Sequence, residues 1–208
     1  FFRLGLDQIF LRLLGADDKN TDSINAITTG IIWAVFASVF FTIIIYINSE
    51  FISNVLLSKP KFYPILSKII WALPFMVVFL LLSFSFQGLY RVIAAIWFQN
   101  LGVSTLFLFM FLISYFNGIE LNTNIISIYY VFSSILIFIL AIILWHRQIK
   151  GLWHVKLRNK KLWKSSSNLW AASSMSLAVQ WSGILIASIY VSSSEIAFLS
   201  AAQRTAML

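Results

Sequence analysis

Residues 24–47 read INAITTGIIWAVFASVFFTIIIYI, an apolar stretch without a single charge. At 1.5 Å rise per residue, a helix of about 22 residues reaches about 33 Å, enough to cross the hydrocarbon core of a bilayer. A membrane β-strand would be about ten residues of alternating apolar and polar character. The run Phe40-Phe41-Thr42-Ile43-Ile44-Ile45 has no such alternation. Lipid offers backbone amides no partner, so a spanning stretch of this kind must satisfy them internally, as a helix does.

The same pattern repeats on both sides. Residues 69–90 and 92–119 lack charge and are separated only by Arg91, and residues 121–146 and 165–194 are also uncharged. These predict complete spans at 24–47, 69–90, 99–117, 125–145 and 169–191. Residues 1–14 read as the end of an earlier span and 195–208 as the start of a later one. The fold class is therefore all-α: a polytopic transmembrane helix bundle with five complete spans and partial spans at both ends. Composition agrees, because 60% of the 208 residues are apolar and only 11% are charged, against about 25% charged in a soluble domain. A water-soluble globule, a disordered chain, a collagen and a soluble coiled coil are excluded. The start at Phe1 and the apolar run at Leu208 lead us to expect a piece of a longer membrane protein.

Lys and Arg set the orientation. Residues 146–168 carry Arg147, Lys150, Lys156, Arg158, Lys160, Lys161 and Lys164 and no acid, which assigns them to the cytoplasm. Alternation then places Arg12, Lys19 and Arg91 inside as well, and Lys59, Lys61 and Lys68 outside, in a loop expected at 48–68. Trp71, Trp97, Trp145, Trp163 and Trp170 lie at or near span ends, where an aromatic belt is expected. The basic segment reads first as an orientation and lipid-headgroup signal. Interleaved Leu152, Trp153, Val155, Leu157, Leu162 and Trp163 would suit a helix lying on the membrane surface. A nucleic-acid partner is not expected.

Catalytic chemistry is thinly supplied. There is no Cys, and the two histidines, His146 and His154, lie in or beside the basic segment without an acid nearby. Glu50, Glu120 and Glu195 fall at span ends. No metal-ligand spacing, paired carboxylates or cofactor loop is readable, so neither an enzyme nor a cofactor is expected. What stands out is charge inside apolar stretches, which is costly and generally faces a cavity or a partner helix. Arg3 and Asp7 are four residues apart, share a helix face and can form a structural ion pair or meet a substrate. Gln203-Arg204 lies about nine residues into the span that starts near Glu195, about 13 Å deep, where a cation needs an anion. Ser173, Ser176, Gln180, Gly183 and Ala187 form a small and polar stripe suited to close helix packing or to a wet cavity. Gly88 permits a close contact or a sharp turn before Arg91. Pro74 predicts a kink early in its span.

These features have a family likeness. Arg3-Leu4-Gly5-Leu6-Asp7 with Leu11-Arg12 resembles the second membrane helix of polysaccharide flippases of the multidrug/oligosaccharidyl-lipid/polysaccharide exporter superfamily. Gln87-Gly88-Leu89-Tyr90-Arg91 looks like the family's connection between helices four and five. Ala201-Ala202-Gln203-Arg204 is similar to the start of its eighth helix. The basic segment falls where the family joins helices six and seven. The resemblance implies a two-lobed, alternating-access transporter in the bacterial cytoplasmic membrane. Residues 1–147 would belong to the N-terminal lobe, 148–168 to the basic connection and 169–208 to the first helices of the second lobe. It implies an undecaprenyl-diphosphate-linked oligosaccharide as substrate, with Arg3, Asp7 and Arg204 lining the cavity beside Gln180 and Gln203, and a proton or sodium ion as a possible coupling ion. Two other classes fit the composition: a cation-coupled multidrug exporter, which needs an intramembrane acid such as Asp7, and a membrane-embedded transferase, which needs a catalytic His or acid pair.

Overall fold

A computed structural model describes residues 5–16, 21–119, 122–149 and 191–206, together with 171, 174–175, 178–179, 182–184, 186–187 and 190. The side chains of residues 16, 21–22, 61, 193–194 and 203–206 are outside that description. Among the described residues there is no strand. The chain is an all-α bundle. Its helices are α1 (Leu6–Ala16), α2 (Thr21–Ile47), α3 (Tyr63–Gly88), α4 (Val92–Phe116), α5 (Thr123–Ile149) and α6 (Ser193–Ala206). Four of them, α2 to α5, are long and apolar enough to cross a membrane. The fifth expected span, 169–191, lies mostly outside the described residues, and its described positions from 171 to 190 are helical.

Two boundaries differ from expectation, and one expected loop is largely helical. Residues 48–68 contain the helical turn Ser49–Phe51, a π turn Ile52–Leu56 and a 3-10 turn Pro60–Phe62, and α3 already begins at Tyr63. Lys68 broke the apolar run in the sequence, yet it fits within α3 because its ammonium donates to Asn124 Oδ1 on α5 (2.8 Å). Likewise α4 begins at Val92 rather than at residue 99. The polar pair Gln99-Asn100 is carried in a π turn, Trp97–Leu101, that widens the helix without ending it.

Within α3 a 3-10 turn, Ile70–Ala72, precedes Pro74. Proline has no N–H to bond the Ile70 carbonyl four residues earlier. The Leu73 amide takes that carbonyl instead, which tightens the helix locally just before Pro74.

The buried core is centred on α3. Helices α1, α2 and α5 all pack on it, and α4 packs mainly on α5 and on the end of α3. The contact between α2 and its neighbours runs along Ala26, Ala34, Ser38 and Thr42, each buried, with Gly30 in the same four-residue series. Small side chains at that spacing let backbones approach closely. Phe36, Phe40, Ile43 and Ile47 form the opposite, exposed face. Helices α1, α3 and α5 finish at the end of the bundle that carries Arg12, Arg91 and Arg147, called the basic end below.

Candidate functional site

The turn from α3 to α4 at the basic end shows how the sequence brings a charged helix into the bundle. A Cβ at Gly88 would lie 2.9 Å from Leu14 Cβ, 3.1 Å from the Leu11 carbonyl oxygen and 3.3 Å from that of Phe10. Only glycine lets α1 rest directly on α3 here. On the other side, a Cβ at Gly30 of α2 would come within 2.7 Å of the Phe10 ring. Both readings of Gly88 are realised in part. Gly88 provides the close contact, while the sharp turn falls at Tyr90, whose φ of 58° is left-handed. The Tyr90 amide bonds the Gln87 carbonyl (3.0 Å) and the Arg91 amide bonds that of Phe86 (2.9 Å), which fixes the turn. Arg91 itself is exposed beside the helix end.

Clamped in this way, α1 presents Asp7 to the interior. Asp7 is 8% exposed and is the one charged side chain among the described residues that is buried. It stands in the first turn of α1, where the helix dipole favours an anion. It lies seven residues before Leu14, about 10 Å along the axis from the level of Gly88. Leu6, Ile9 and Phe10 around it on α1 are also buried. Asp7 is engaged within the fold, and Arg3, four residues earlier in the sequence, lies outside the described residues.

The other expected site residues are less fully placed. Gln180 lies outside the described residues. Gln203 and Arg204 sit on α6, with their side chains outside the description. The start of α6 is well defined. The Ser192 amide (3.1 Å) and hydroxyl (2.5 Å) both donate to a Glu195 carboxylate oxygen, a capping box written as Ser192-Ser193-Ser194-Glu195. These two hydrogen bonds, side chain first, hold the Glu195 carboxyl below its ordinary pKa. Just before it, the Lys59 ammonium reaches the Val191 carbonyl (3.5 Å). In the stripe expected on 169–191, Ser173, Ser176 and Gln180 fall outside the described residues. A Cβ at Gly183 would meet nothing within 4 Å among the described residues.

Several features escaped the sequence reading. Trp145, expected in the interfacial belt, is fully buried, packed edge-on to Phe86 with centroids 5.9 Å apart. Phe86 in turn stacks on Phe98 at 5.7 Å. Trp145 joins the core because α5 continues past it to Ile149. The Trp145 indole nitrogen and Gln99 Nε2 are buried without a hydrogen-bond partner among the described residues. The stripe of Ala26, Gly30, Ala34, Ser38 and Thr42 was also missed, although its four-residue spacing was present in the sequence. Its hydroxyls turn back on their own helix, Ser38 to the Val35 carbonyl (2.9 Å) and Thr42 to that of Ser38 (2.8 Å). They serve packing. Among the described residues, no three His, Cys, Asp or Glu side chains gather as a metal site would require. No protein-family model, no curated protein and no solved structure matches the chain.

Proposed function

We propose that this chain forms part of a transporter that moves a lipid-linked oligosaccharide across the bacterial cytoplasmic membrane by alternating access. The observation that carries the reading is Asp7, a carboxylate buried in the first helix of a bundle otherwise built from apolar spans. An ionisable group buried within a membrane bundle is expensive and generally serves a pathway for ions or substrate. In this reading Arg3, four residues before Asp7 in the sequence, tunes or pairs with it. Arg204 offers a guanidinium to the diphosphate of the substrate, a geometry that arginine suits because it binds such oxygens two at a time. Gln180 and Gln203 supply neutral hydrogen bonds to sugar hydroxyls. The polyprenyl tail stays in the bilayer while only the headgroup crosses.

Replacing Arg204 by Ala in the full-length protein tests this. Surface polysaccharide should be lost while the protein still inserts at its normal level. Normal polysaccharide at normal protein level would reject the assignment.

The burial of Asp7 also favours a second reading, a cation-coupled multidrug exporter, in which that acid exchanges a proton or sodium ion with the drug. Drug-sensitivity profiles of a deletion strain separate the two. Broad sensitisation without a surface-polysaccharide defect would select the exporter.

A further inference from the structure

At the basic end an open groove of about 680 Å³ runs between α4 and α5, a volume in the range of small-molecule sites. Its walls are apolar: Ile93 and Trp97 of α4, and Leu140 and Leu144 of α5. Arg91 is the one charged residue lining it. Because Arg91 lies between the end of α3 at Gly88 and the start of α4 at Val92, it stands at the mouth. Leu140 lies nine residues before the end of α5 at Ile149, about 13 Å into the bundle. Arg147 follows Leu144 by three residues on the same face of α5 and is exposed. Among the described residues, no acid engages Arg91 or Arg147. Ile93 is 89% exposed, so the apolar wall opens outward.

We propose that this groove holds one anionic glycerophospholipid, its phosphate at Arg91 and Arg147 and an acyl chain along Ile93, Trp97, Leu140 and Leu144. The order of chemistry along the groove selects this occupant. Cations stand at the end of the bundle and hydrocarbon-compatible side chains lie deeper between the helices, the polarity of a single anionic lipid. Basic pockets between membrane helices bind anionic headgroups in this manner. A packed protein helix would use the apolar wall and leave both arginines without an anion. The proposal does not depend on the transport reading and stands or falls separately.

Trp97 reports the occupant directly. The full-length protein is reconstituted in phosphatidylcholine vesicles carrying brominated phosphatidylglycerol or, in parallel, brominated phosphatidylcholine. With eight tryptophans in the chain, the Trp97 signal is taken as wild type minus Trp97→Phe. Bromine on phosphatidylglycerol should quench Trp97 at a markedly lower mole fraction than bromine on phosphatidylcholine. Arg91→Gln should reduce that preference about fivefold, the equivalent of about 1 kcal/mol per surface cation. Arg91→Lys should keep it. An unchanged elution volume of Arg91→Gln in size-exclusion chromatography shows that the variant is folded, and Arg147→Gln provides a second, independent loss. Equal quenching by the two lipids in the wild type overturns the proposal, whatever the variants do. So does a preference that survives both substitutions, or displacement of phosphatidylglycerol by a lower mole fraction of polyprenyl phosphate.

Discussion

Helices α2 and α3 make an instructive pair. Their apolar spans are 25 and 26 residues long and match in mean hydropathy at 2.4, yet 22% of the most apolar 18 residues of the first and 56% of those of the second are buried in the bundle. Hydropathy decides which segments enter a bilayer. It does not decide which of them becomes the centre, because lipid is as apolar as a leucine and does not drive helices together. Shape does. Helix α2 is divided into a small-residue face, Ala26 to Thr42, and a large-residue face of Phe36, Phe40, Ile43 and Ile47 that points outward. Helix α3 buries Val77, Val78, Phe79, Leu81, Leu82, Ser83, Ser85 and Phe86 and leaves almost no free side.

The contrast is strongest for two phenylalanines. Phe86→Ala removes the ring that touches both Phe98 and Trp145 and should cost about 3–5 kcal/mol. Phe40→Ala on α2, where the side chain is 61% exposed, should cost less than about 0.5 kcal/mol. Reversible unfolding in mixed micelles measures both. Equal costs would break the distinction between a central and a peripheral helix.

Glycine gives the next largest effect. Gly88→Ala places a methyl against Leu14 Cβ and two backbone carbonyls, none of which can turn away. It should destabilise by about 1–3 kcal/mol. Gly30→Ala meets the ring of Phe10, a side chain able to shift, and should cost less than Gly88→Ala in the same assay. The opposite ranking would place the tight helix contact on α2 instead of α3.

Cross-helix hydroxyls should matter least. Ser114 shares a 2.6 Å hydrogen bond with the Tyr129 hydroxyl, joining α4 to α5, whereas Ser85 returns to the Leu81 carbonyl of its own helix (3.2 Å). Ser114→Ala should lose about 0.6 kcal/mol, the ordinary worth of such a bond in a membrane bundle, and Ser85→Ala less. Unfolding midpoints of the two variants check the order.

Much of this arrangement was legible in the sequence, and the exceptions have physical causes. Four helices could be read from uncharged runs, because a span tolerates little charge at its centre. Their ends were misjudged where a polar residue is accommodated rather than exposed: Lys68 by Asn124, and Gln99-Asn100 by a π turn. Trp145 looked like a belt residue because Arg147 follows it closely, but burial depends on what faces it across the bundle, and Phe86 is 59 positions away in sequence. Polar members mark the small-residue stripe expected on 169–191, whereas the buried stripe of α2 includes two alanines and a glycine and carries less polar signal in the sequence. Of the candidate site, Asp7 is placed, buried in the first turn of α1. Arg3 and Gln180 lie outside the described residues, as do the side chains of Gln203 and Arg204.

The absence of cysteine makes the central claim, a bundle of crossing helices with its basic end in the cytoplasm, open to one direct measurement. Single cysteines are placed at Ser58, between α2 and α3, at Tyr90, between α3 and α4, and at Asn117, after α4, all three exposed. Intact cells are then treated with a membrane-impermeant maleimide. The account predicts that the variants Ser58→Cys and Asn117→Cys label at once and that Tyr90→Cys labels only after permeabilisation. Labelling of Tyr90→Cys together with Ser58→Cys in intact cells would mean that α3 does not cross the membrane, and would contradict it.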